Sequence, residues 1–174
     1  KMGTLNKNVQ GKVEFVGTKP NGATLALAKG VKVSAVDFTA VPPATDKLKL
    51  ALKGKNEIGT LSFAKTTAGL NVKSNGDVNT ENTIHFLQPA ADTTLKVEGI
   101  RSLVVRDGTK GVKWNAEVND ITTFEVMGKD LLTGEVKVTL AKSSILTLPS
   151  GEFPKLELNV TGTNDSTIEV DAAT

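Results

Sequence analysis

The chain has 174 residues, 39% hydrophobic and 23% charged, a balance that can bury a core and argues against disorder. Its formal net charge of +2 comes with lysines spread singly along the sequence, and Trp114 and six phenylalanines are its only aromatics. That excludes a nucleic-acid binder, which clusters basic residues and offers stacking platforms, and the absence of cysteine excludes disulfides, thiol catalysis and the usual zinc clusters.

In chain order the dominant signal is a period of two. Leu25 and Leu27 lead towards Val31, Val33 and Ala35, and after the Pro42-Pro43 break come Leu48, Leu50 and Leu52, then Ile58 and Leu61 to Phe63. Leu95 and Val97 alternate with Lys96 and Glu98. Val112, Trp114, Ala116 and Val118 share one face, a parity that predicts a buried Trp114. Val136, Val138 and Leu140 repeat the pattern, as do Leu156, Leu158 and Val160. Thr, Val and their kind are stiff at χ1 and fit a pleated strand. Between the sets lie Pro20-Asn21-Gly22, Asn75-Gly76-Asp77, Asp107-Gly108, Thr133-Gly134 and Pro149-Ser150-Gly151, which read as hairpin turns. The spacing predicts an all-β sandwich or barrel, one domain over residues 1–174, with no internal repeat and no linker. Short helical or 3₁₀ pieces fit only around Ala40–Asp46 or Ile121–Leu132.

The chemistry is sparse. His85 is the only histidine, it alternates with Ile84 and Phe86 like an ordinary strand residue, and no serine sits in a nucleophile-elbow sequence. A carboxylate pair for sugar hydrolysis would expect aromatic sugar platforms that the chain barely supplies. No glycine run with a following Lys-Ser/Thr makes a phosphate loop. Asn75, Asp77, Asn79, Glu81 and Asn82, and further on Asn164 and Asp165, are oxygen donors of the kind calcium takes, yet the EF-hand spacing is absent and Asx turns account for them. The expectation is no catalytic residue, no cofactor and no metal. No apolar run is long enough to span a bilayer, and the Lys1-Met2-Gly3 start reads as a trimmed or engineered terminus from which an export signal would be gone.

Two segments carry a resemblance. Asn8-Val9-Gln10-Gly11-Lys12-Val13-Glu14-Phe15-Val16-Gly17 resembles the mature N-terminus of chaperone–usher pilus subunits, and Leu148-Pro149-Ser150-Gly151-Glu152-Phe153, followed by Leu156, Leu158 and Val160, is similar to their last strand. The chain would belong to a branch without cysteine. The resemblance implies an immunoglobulin-like β-sandwich completed by strand exchange or by a terminal donor strand. Residues 1–15 would be the donor, presenting Leu5, Val9, Gly11, Val13 and Phe15. The tail 161–174, with Ile168 and Val170, would be an extra strand or a second donor. It further implies a secreted fimbrial subunit at the cell surface whose partners are neighbouring copies, other pilus subunits, a periplasmic chaperone, an outer-membrane usher and a host receptor. Two other classes stay open: a binding module of a cell-surface adhesin, and a virion or Gram-positive surface protein stapled by a Lys–Asn isopeptide bond.

Overall fold

A computed structural model describes residues 2–16, 23–43, 47–66, 68–74, 80–153, 155–161 and 165–170. The turn at Pro20-Asn21-Gly22, the loop residues Asn75, Gly76, Asp77 and Asn79, and Asn164 lie outside them. The chain starts with β1 (Met2–Leu5), β2 (Val9–Glu14), β3 (Ala23–Leu27) and β4 (Lys32–Phe38). Next come β5 (Leu48–Leu52), β6 (Glu57–Phe63), β7 (Leu70–Ser74) and β8 (Asn82–Pro89). They are followed by β9 (Thr93–Glu98), β10 (Ser102–Val105), β11 (Trp114–Asn119) and β12 (Thr123–Val126). A 3₁₀ turn (Lys129–Leu132), inside the second helical segment expected above, precedes β13 (Val136–Ala141), β14 (Ile145–Leu148), β15 (Leu156–Thr161) and β16 (Thr167–Val170).

The strands alternate between two sheets. Odd-numbered strands stack in the order β1-β3-β5-β7-β9-β11-β13-β15, and even-numbered ones form the second sheet in the same progression. Every pairing between named strands is parallel. The result is a parallel β-solenoid of about 7 turns, 58% strand, in which each turn, or rung, adds one strand to each sheet. At the usual strand spacing of about 4.8 Å the stack is about 34 Å long.

This corrects the immunoglobulin-like sandwich. Alternation says that one face of a strand is buried, but not which strand lies beside it. The hairpin reading took sequence neighbours as sheet neighbours, whereas Leu48 actually lies beside Leu70, then Leu95, Ala116, Val138 and Leu158 in one inward column. The described turn signals, Asp107-Gly108, Thr133-Gly134 and Pro149-Ser150-Gly151, mark corners between the two sheets. At Thr133-Gly134, a Cβ on Gly134 would stand 2.3 Å from the Val112 carbonyl oxygen of the rung below, so only glycine passes.

The same columns correct the expectation of no internal repeat. Each rung is a repeat that cannot bury its own apolar face and is completed by its neighbours. Leu25, Leu50, Val72, Val97, Val118 and Leu140 make a second column between the sheets, all of them buried. Trp114, Phe38, Phe63 and Phe124 are the largest of the fully buried side chains. Trp114 is 1% exposed and its Nε1–H donates to the Leu131 carbonyl at 3.1 Å.

Candidate functional site

The flanks of the solenoid carry short rows of charge. Lys32 and Glu57, side by side on β4 and β6, meet at 2.7 Å, and His85 on β8 lies 2.9 Å from the other oxygen of Glu57. Hydrogen bonds from Lys32 first, and from His85 next, hold the Glu57 carboxyl below its ordinary range. His85 is exposed, and among the described residues its side-chain partner is the Glu57 carboxylate. Burial pushes the Asp37 carboxyl up, but the Thr39 hydroxyl and amide, together with Lys12, outweigh that and leave it lowered. Among the described residues no group of three or more His, Cys, Asp or Glu is placed to hold a metal. A shallow trough of about 600 Å³ opens on the first sheet, where lysines and glutamates of adjacent rungs, such as Lys113 with Glu135, already pair.

Apart from Met127, just beyond β12, the exposed large apolar side chains among the described residues are at the two ends. A residue inside the stack is covered by a rung on each side, and an end rung by one only. Val138 is 3% exposed and Leu140 0%, yet their column neighbours Leu158 and Val160 on β15 are 38% and 55% exposed. On β16, Val170 reaches 61% while Leu148 beneath it is at 2%. At the opposite end Leu5, Val9, Val13 and Phe15 are half-buried against the core. Among the described residues, β1 and β2 each have a strand on one side only, as do β15 and β16. Their outward N–H and C=O groups are therefore free to pair.

The structure divides the residues expected to form one donor strand. Leu5 ends β1 in the first sheet, while Val9 and Val13 point inward from β2 in the second. Phe15 follows β2, stacks on Phe38 with ring centroids 4.9 Å apart, and donates its N–H to the Asp37 carbonyl at 3.0 Å. Gly11 stands apart: it sits outward where the register shifts between Val9 and Lys12, with nothing within 4 Å of a Cβ. Ile168 and Val170 lie on the last strand, at the far end of the stack from Val9. The sequence reading missed that Leu156, Leu158 and Val160 share that end. They were legible as an alternating set, but only the stacking order reveals them as terminal.

Comparison with protein-family models, with curated proteins and with solved structures finds no match.

Proposed function

We propose that the chain is a non-catalytic structural element of a cell-surface assembly, a stiff β-solenoid segment that joins further structure through its end rungs. One observation carries this reading: the side chains that continue the core columns, Leu158, Val160 and Val170, are exposed beside unpaired strand edges. Bare backbone and apolar side chains on one edge are costly in water, and an added strand satisfies both together. The sides of the rod support the same reading, because charges such as Lys32 with Glu57, Lys96 with Glu117 and Lys113 with Glu135 pair across rungs. Of the pilus reading the proposal keeps only a structural role at the cell surface. The chaperone and usher, implied by likeness to sandwich subunits, form no part of it. Antibody labelling of intact cells of the source organism tests the proposal. Surface staining that protease removes supports it, and confinement to the cytoplasm overturns it.

A further inference from the structure

We infer that the occupant of each end is a second copy of this chain, stacked head to tail so that β15 and β16 of one molecule pair in parallel with β1 and β2 of the next. The inference rests on the scaffold reading for its use and on three features of the ends for its geometry.

The first is charge. The described residues of the first rung, 2–16, carry Lys7 and Lys12 against Glu14, a net side-chain charge of +1. The described residues of the last, 156–161 and 165–170, carry Glu157, Asp165 and Glu169 with no basic residue, a net charge of −3. Unlike ends attract and like ends repel, so charge selects the head-to-tail contact over either symmetric one.

The second is direction. All strands are parallel, so the edge left open at β15 and β16 is the continuation of the edge open at β1 and β2. A two-fold contact between identical ends would have to reverse the strand direction. A head-to-tail contact preserves it.

The third is the columns. Val170 stands at the end of the inward column that begins at Val9, and Val160 ends the column that begins at Gly3. In the continued register Val170 meets Val9, and Val160 covers Leu25 across the small Gly3. Glu169 falls in line with Asn8, next to Lys7, which has no carboxylate partner among the described residues. Such a contact is heterologous and does not close on itself, so it propagates into a filament.

The test uses the whole chain in sedimentation velocity and electron microscopy. Wild type forms elongated oligomers that grow with concentration and weaken as salt rises towards about 1 M, where the screening length is about 3 Å. The double variant V160K and V170K changes exposed residues at the acidic end, and K7E with V9E changes the basic end. Each alone stays monomeric with an unchanged far-ultraviolet dichroism spectrum. An equimolar mixture yields dimers, because one variant keeps a working head and the other a working tail. A wild type that is monomeric at all concentrations, a V160K and V170K variant that assembles like wild type, or a mixture without dimers each overturns the inference. Monomeric wild type on a labelled cell surface would sink the stacking and leave the scaffold role standing. Filaments from a cytoplasmic protein would do the reverse.

Discussion

Asn56 and Asn82 occupy the same corner one rung apart, and each completes the backbone of its neighbour. The Asn56 N–H donates to Asn82 Oδ1 at 3.3 Å, and Asn82 Nδ2–H donates to the Ser102 carbonyl at 3.2 Å. Asn56 Oδ1 accepts from the amides of Lys53 and Gly54, while its Nδ2–H groups donate to the carbonyls of Ala28 and Val31. Four backbone groups thus depend on a side chain that is 1% exposed. Asn56→Ala strands several of them, and at 1–3 kcal/mol for each buried orphan, partly relieved by water, the loss is about 2–4 kcal/mol. Asn56→Asp fares no better, because a carboxylate cannot donate to Ala28 and Val31. Urea unfolding measures both, and a loss under about 0.5 kcal/mol, the level of an ordinary surface change, would show the corner to be dispensable.

Trp114 is both the largest buried side chain and a donor. Its emission in the folded protein should be blue-shifted and poorly quenched by iodide. Trp114→Ala should cost about 3–5 kcal/mol, the usual loss for a deleted core aromatic. Trp114→Phe keeps much of the volume but leaves the Leu131 carbonyl without its 3.1 Å donor, so it too should destabilise, by less than alanine does. Equal losses for Phe and Ala would place the effect in the hydrogen bond and not in packing.

Much of the local structure was legible, and the architecture was not. The alternating sets from Leu25 to Val160 fall in or beside strands, because burial of one face leaves its mark on every second residue. The repeat escaped because rung length varies. The steps from Leu48 to Leu70, Leu95, Ala116, Val138 and Leu158 run from 20 to 25 residues, so no fixed period accumulates. One local signal was available. Lys32–Phe38, Glu57–Phe63 and Thr83–Pro89 share the spacing of Val33, Val36 and Phe38, with two outward residues in the middle, and they stack in that order. Gly59 belongs to this outward pair, and a Cβ there would stand 2.3 Å from the Ser34 carbonyl oxygen. The ends were illegible for a different reason: an edge strand and a central strand alternate alike, and only the stacking order tells Val160 from Leu140.

The Lys32–Glu57–His85 row predicts a pH dependence of known sign. The folded-state pKa of Glu57 is lowered, so the pair contributes stability above the unfolded-state pKa and loses it as pH falls through the folded one. Glu57 is 36% exposed, so solvent screening limits the contribution to about 0.2–1 kcal/mol. Glu57→Gln should therefore melt slightly below wild type at neutral pH. The gap should close in acid, below the ordinary carboxylate range, where the wild-type carboxyl is protonated too. A gap that persists unchanged at low pH would assign the effect to packing.

The solenoid also predicts which deletions the chain tolerates. Thr93 pairs with Trp114 in the first sheet and Ser102 with Thr123 in the second, so both sheets step by the same 21 residues at this rung. Removing residues 93–113 joins Asp92 to Trp114 and brings β11 against β7 and β12 against β8 with every inward residue still inward. Stability in such a stack is close to a sum of rungs and nearest-neighbour interfaces, so the shortened chain should fold, melt cooperatively at a lower temperature, and be about 5 Å shorter in solution scattering. Removing residues 93–101 deletes fewer residues but takes out β9 alone, so β10 of the second sheet follows β8 of that same sheet where a first-sheet strand belongs, and its apolar face can no longer meet both neighbours. That shorter deletion should abolish folding beyond β8. Circular dichroism and hydrogen exchange on the pair decide the matter: if the two deletions behave alike, the rungs are not the independent units that the parallel registers make them.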